Sequence, residues 1–260
     1  MKNNNLIRIK DVCNFLLKHY PLSSQEKWDQ SGFVTKVINN YPIDNICVCL
    51  DVDKNIIDLA IKKHIKLIIS HHPIFIDKKD LLSCQKHIIN KIKKHHITVL
   101  SLHTCFDNAD NGMNFLIATI LQLKNTKWFD NKKRFVIGNF PKYLSIKQVI
   151  NLIRKNFSLN IFSSNVKNKK FKTLAICAGA GISNFTYAFD KLKNKNYLLI
   201  TGDVKYHNWQ YLDFYKLSCL DVGHSIENCF VDFLAYLVKR FFSRLHVYAI
   251  KTEKKEHLFI

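Results

Sequence analysis

Three short motifs place imidazole and carboxylate groups directly after apolar runs. Ser70-His71-His72-Pro73 follows Lys66-Leu-Ile-Ile, His103-Thr-Cys-Phe-Asp107 follows Ile97-Thr-Val-Leu-Ser-Leu, and Asp221-Val-Gly-His224-Ser-Ile-Glu227 follows Leu217-Ser-Cys-Leu. Neutral imidazole combined with carboxylate is the donor set of Zn, Mn, Fe or Ni, whereas thiolates would mark a structural zinc site. No Cys-x-x-Cys pair occurs. His224 and Glu227 stand three apart and share a face if that segment is helical. Along a strand His71 and His72 point to opposite sides, but at a strand end that turns into a loop the pair can splay around two neighbouring ions. His71, His72, Asp107, His224 and Glu227 therefore suffice for two divalent ions roughly 3.5–4 Å apart. Such a centre lowers the pKa of water and polarises the bond attacked, so the chemistry expected is metal-dependent hydrolysis. His103 and His207 are candidates to move a proton near neutral pH. The competing reading is a surface cluster without function; it must explain three such motifs, each at the end of an apolar run.

The elements that must position these residues follow from the hydrophobic pattern. Spaced apolar residues predict helices over 6–20, 54–64, 82–94, 112–122, 145–156, 182–192, 206–216 and 225–242. Continuous β-type runs predict strands over 45–51, 66–70, 97–102, 134–139, 172–178, 197–201 and 217–222, with further candidates at 246–251 and 256–260. This βαβα rhythm is that of an α/β fold with mixed, largely parallel sheets. In open α/β sheets ligands bind at the carboxyl ends of strands, where all three motifs fall. The polar stretch 124–133 is the expected boundary. Two α/β units follow: 1–125, completed by 224–260, and 126–223.

Composition bounds the remaining possibilities. The 260 residues carry 40 Lys+Arg against 20 Asp+Glu, a formal net charge of +20, yet only five are Arg: Arg8, Arg134, Arg154, Arg240 and Arg244. Arg is the residue that recognises phosphate and base edges bidentately. Lys, Asn, Ile and Phe also share AT-rich codons, so the charge supports nucleic acid only weakly as a partner. No apolar run approaches the roughly 18 residues of a membrane span, which argues against a membrane protein. Met1-Lys-Asn-Asn-Asn-Leu-Ile-Arg has no apolar core of a secretion signal. Several of the eight cysteines sit inside apolar runs, as reduced core cysteines do; the expectation is a cytoplasmic protein. Gly179-Ala-Gly181 is half of a dinucleotide fingerprint, with Asn184 where a third Gly is needed, and a tight turn is the better reading. Lys205, Tyr206 and His207 beside Gly202 either contact a nucleotide or begin a helix.

Taken together, Ser70-His71-His72-Pro73 with Phe75, His103-Thr-x-x-Asp107 and Gly223-His224-x-Ile-Glu227 resemble the GTP cyclohydrolase 1 type 2 homologue family, the NGG-interacting-factor-three-like proteins, in its short form without a central insert. Trp28-Asp29-Gln30-Ser31-Gly32 is similar to an N-terminal Trp-Asp-Asn-x-Gly element of that family. Cys177-Ala-Gly179-Ala-Gly181-Ile-Ser183 and Thr201-Gly202-Asp203-Val-Lys-Tyr-His207 resemble its central motifs, so the likeness spans about 28 to 227. It implies two interlinked α/β units, a dinuclear metal site in the cleft between them, and a ring-shaped homohexamer. Carried over by position, His71, His72, Asp107, His224 and Glu227 are the ligands, Glu227 bridging, with His103 beside them or in proton transfer. The family name implies ring opening of GTP, in which water attacks the purine imidazole carbon. A non-catalytic metal-binding adaptor, contacting nucleic acid through the ring, is the alternative. Two departures are plain: Gln30 replaces Asn, and His224 and Glu227 are one residue closer than the family spacing expected here.

Overall fold

A computed structural model describes residues 6–35, 39–76, 81–160, 162–193 and 195–252. Its strands in chain order are β1 (Gly32–Phe33), β2 (Asn45–Cys49), β3 (Leu67–Ser70), β4 (Thr98–Ser101), β5 (Lys124–Trp128), β6 (Val136–Ser145), β7 (Ser163–Ser164), β8 (Lys170–Ile176), β9 (Tyr197–Thr201), β10 (Ser218–Asp221) and β11 (His246–Ile250). The chain forms two compact units, Met1–Ala109 with Phe230–Ile260, and Asp110–Cys229.

The first unit holds a sheet of order β1-β4-β3-β2-β11. Its centre is parallel: β2 pairs with β3, β3 with β4, and β11 with β2. β3 and β4 are buried at every residue and β2 at all but its first, the condition under which a parallel strand reads as a continuous apolar run. Helices Lys54–Lys62 and Ser83–Lys94 make the two crossovers. Asp53 caps the first of them by accepting from the Ile56 amide at 2.9 Å. Cys47, Cys49, Ile57, Ile68 and Val99 form a core on one side of this sheet, each buried Ile contributing about 1.5–3 kcal/mol. The register decides what the sheet presents. Cys49 pairs with Ser70 and Ser70 with Ser101, so Asp51, His71-His72 and His103 leave three adjacent strands at one edge.

The second unit holds a sheet of order β5-β6-β8-β9-β10-β7. β8, β9 and β10 are parallel, whereas β5–β6, β6–β8 and β10–β7 are antiparallel. The expectation of largely parallel sheets therefore holds for the first unit and not for this one. The loop 129–135 between β5 and β6 is too short for a parallel crossover. β6 also runs past Pro141, which sits in the irregular register between Asn139 and Leu144, the kind of place where a strand tolerates proline. The polar stretch 124–133 lies inside this unit: Lys124–Trp128 is an edge strand, mostly exposed. Phe135, Phe185, Leu199, Leu212 and Cys219 belong to this unit's core.

Two predicted helices differ in form. Residues 182–192 make two short helices, Ile182–Thr186 and Phe189–Leu192. Residues 225–242 divide into a 3-10 turn, His224–Asn228, and an α-helix, Cys229–Phe241. The strand candidate 256–260 lies outside the described residues. All eight cysteines are free thiols, all but Cys84 buried. No helix among the described residues is long and apolar enough to cross a membrane.

Candidate metal centre

At the sheet edge of the first unit, three imidazoles converge. One ring nitrogen from each of His71, His72 and His103 lies within 4.8 Å of the others, and the ring centroids are 4.6, 5.2 and 5.3 Å apart. Each ring is anchored through Nδ1. His71 Nδ1 meets the Leu102 carbonyl at 2.9 Å, His72 Nδ1 meets Asp51 Oδ1 at 2.9 Å, and His103 Nδ1 meets Asp29 Oδ1 at 2.8 Å. A carbonyl or carboxylate oxygen only accepts, so Nδ1 carries the proton in all three and Nε2 keeps a lone pair. That is the tautomer a metal-ligating histidine needs, fixed by the outer hydrogen bond.

Electrostatics favour the neutral form of His71. Burial pushes its pKa well below its ordinary value, and the neighbouring His72 and His103 rings push it further. A neutral ring there offers a lone pair. His71 Nε2 also lies 3.6 Å from Asp107 Oδ1. This is long for a hydrogen bond but suits two donors of one ion bonded at about 2.0–2.2 Å. Asp107 ends the short helix Thr104–Asp107, which His103 begins.

Asp29 holds His103 in place. Its buried side chain accepts from the His103 ring, from the Gln30 amide at 2.6 Å, from Ser31 Oγ at 2.5 Å, and from Thr104 through its amide at 3.0 Å and its hydroxyl at 2.5 Å. Burial alone would raise its pKa, but the hydrogen bonds from His103, Ser31 and Thr104 outweigh it and hold the carboxyl well below the usual range.

The second unit has its own convergence of donors. His224 Nδ1 is 3.6 Å from Glu227 Oε2 and 3.7 Å from Asp203 Oδ2. The segment is a 3-10 turn, in which residues three apart eclipse, so the short His-x-x-Glu spacing still aligns the pair. Asp221 fastens the approach by accepting from the amides of Val204 at 2.9 Å and Gly223 at 2.8 Å. Glu227 is buried against glycine. A Cβ on Gly179 would meet Glu227 Oε1 at 3.1 Å, and Gly179 has φ +61°. The Gly181 amide donates to Thr201 Oγ1 at 2.9 Å and to the Gly179 carbonyl at 2.8 Å. Gly179-Ala-Gly181 is thus a tight turn that cradles a carboxylate.

The predicted residues fall out as follows. His71, His72 and Asp107 come together in the first unit, as do His224 and Glu227 in the second. His103 stands among the convergent imidazoles as well as in a position to move a proton. His207 is exposed on the helix Tyr206–Phe214, its ring 6.0 Å from that of Tyr211, and it belongs to neither cluster. Asp51, Asp29 and Asp203 are additions. Asp51 could have been found as the acid closing the Asn45–Leu50 run, the same strand-end signal that marked the histidines. The donor chemistry and the glycine cradle fit divalent ions.

Comparison with known proteins places the chain among similar sequences and folds. A family model described as Duf34/NIF3 (NGG1p interacting factor 3) matches residues 7–256. A protein of Ureaplasma parvum named GTP cyclohydrolase 1 type 2 homolog is 32% identical over 243 residues, 91% of each chain. One of the same name from Streptococcus pneumoniae is 32% identical over 211 residues, covering 76% of this chain and 78% of the other. Among solved structures, a Bacillus cereus protein related to NIF3 superposes with a TM-score of 0.86 at 16% identity, over 98% of this chain and 99% of that one. A Staphylococcus aureus protein gives 0.85 at 21% identity with the same coverage. At these identities the structures establish the α/β fold.

Proposed function

Since the chain belongs to the Duf34/NIF3 family, we propose that it is a divalent-metal-binding protein that hydrolyses a nucleotide or related small anionic substrate. The observation that carries this reading is the set of three convergent imidazoles, His71, His72 and His103, each locked by an Nδ1 hydrogen bond. Two ions of Zn, Mn, Fe or Ni per subunit would be held by His71, His72, Asp107, His224 and Glu227. In this reading the subunits assemble as a homohexamer, the assembly the family resemblance implies.

When bound, such ions supply Lewis acidity and lower the pKa of water towards neutrality. The chain's own groups do the rest. Asp51 and the Leu102 carbonyl orient His72 and His71, and Asp29 orients His103. His103, backed by a carboxylate that stays ionised, accepts a proton from water at Nε2 and returns it to the leaving atom. The relatives' name points to GTP as the substrate to try first. Incubating the protein with GTP and each of Zn, Mn, Fe and Ni is expected to release formate with at least one ion, abolished by His103→Ala. No release with any of them contradicts the cyclohydrolase version.

One observation favours a second reading. Lys167, Lys169 and Lys216 line a surface depression of about 370 Å³ in the second unit, on a chain of net charge +20. A non-catalytic adaptor contacting nucleic acid there would bind DNA with an affinity that falls steeply with salt.

A further inference from the structure

Trp28 has no part in holding ions, yet the fold fixes it beside them. It is 55% exposed, and its ring lies 5.6 Å from that of His103 at 77°, edge to face. Such a contact consumes at most one face of the indole, so at least one face is open.

A single exposed aromatic residue needs no explanation in itself. What sets Trp28 apart is its anchorage. It occupies the corner of a turn closed by the Asp29 amide donating to the Glu26 carbonyl at 3.0 Å. Both ends of that turn are tied to the segment that carries His103. The Glu26 amide donates to Thr104 Oγ1 at 2.9 Å, and the Asp29 carboxylate accepts from His103 and Thr104. A large aromatic side chain is thereby held in the solvent next to the His103 imidazole, one of the three convergent rings. Little conformational entropy remains to be lost when a flat ligand covers it.

We propose that Trp28 is the stacking platform for a planar aromatic heterocycle, the nucleobase class, in the substrate of this site. The inference rests on the metal-centre reading above and deepens it by assigning the residue that selects the base of the substrate. The indole face binds any base by stacking. An aliphatic phosphate lacking a ring gains nothing from Trp28.

The test is calorimetric titration of wild type, Trp28→Ala and Trp28→Phe with guanosine monophosphate and with ribose 5-phosphate, each with Zn and with chelator. Loss of a base-stacking partner weakens affinity about 5- to 150-fold. The expected result is that loss for guanosine monophosphate in Trp28→Ala, near-complete retention in Trp28→Phe, and unchanged ribose 5-phosphate binding in all three. Equal guanosine monophosphate affinity in wild type and Trp28→Ala overturns the proposal, as do an equal loss for both ligands and an absence of guanosine monophosphate binding in wild type. Ion content of the same preparations reads the metal centre separately. Trp28→Ala is expected to leave it unchanged, and a wild type without ions defeats the metal reading whatever the chelator titrations show.

Discussion

Asp29→Ala is expected to lower the free energy of unfolding by about 3–5 kcal/mol and, in the protein that remains folded, to lower turnover by up to the roughly 10²- to 10⁴-fold that a positioned general base contributes. Two effects combine. The substitution leaves the Gln30 and Thr104 amides, two hydroxyls and the His103 ring without the acceptor they share, and buried donors that lose a charged acceptor are costly. It also releases His103 from the hydrogen bond that sets its tautomer. Asp29→Asn does not restore the site, because both carboxylate oxygens accept and the amide nitrogen would face donors. The carboxyl's pKa is lower folded than unfolded, so its stabilisation is complete above the ordinary carboxylate pKa of about 4 and declines as pH falls below it. Urea unfolding at a series of pH values checks this: the gap between wild type and variant should narrow in acid. A gap below about 1 kcal/mol at pH 7 would show that the network does not carry the load assigned to it.

Gly179→Ala is expected to reduce ion affinity roughly 10- to 100-fold, on the scale of losing a group that orients a ligand, with a smaller cost in stability. Gly179 has φ +61°, and a side chain there would press on Glu227 Oε1 at 3.1 Å. The left-handed backbone costs a non-glycine residue about 1–2 kcal/mol, which a folded domain survives. Displacement of the Glu227 carboxylate, a ligand in the proposed centre, is not so easily absorbed. Gly223→Ala is the matched control. Its φ is +70°, so the backbone strain is comparable, but nothing lies within 4 Å of its Cβ position. Isothermal titration with Zn should separate the two variants, and equal affinities would show that the Gly179 cradle does not position Glu227.

The parts of this molecule legible in the sequence were those where burial repeats a simple pattern. β2, β3, β4, β9 and β10 are parallel strands enclosed on both faces, so their apolar runs mark them within two residues, and the histidines stand out as polar groups at the ends. β1 and β7 have two residues each, too few for a pattern. β5 reads as a linker because Lys124, Asn125 and Lys127 are exposed, the charge that edge strands carry against unwanted pairing. The site was half legible for a related reason. His71, His72, Asp107, His224 and Glu227 are uncommon residues in uncommon places. The acids that orient the rings are less plain: Asp51 carries only the strand-end signal, and the Trp28–Gly32 element that holds Asp29 does not reveal which ring the acid meets. The role of His103 likewise depends on its partner Asp29, 74 positions away, which spacing within a motif does not reveal. The 3-10 form of 224–228 also needed the structure, since three-residue spacing suits an α-helix nearly as well.

Ion stoichiometry tests the account most directly. Elemental analysis after saturation with Zn, Mn, Fe or Ni and removal of excess should find two ions per chain in wild type and a clear loss in both His71→Ala and Glu227→Ala, one from each unit. Fewer than one ion per chain in wild type, or the wild-type content retained in either variant, would contradict the metal centre on which the function rests.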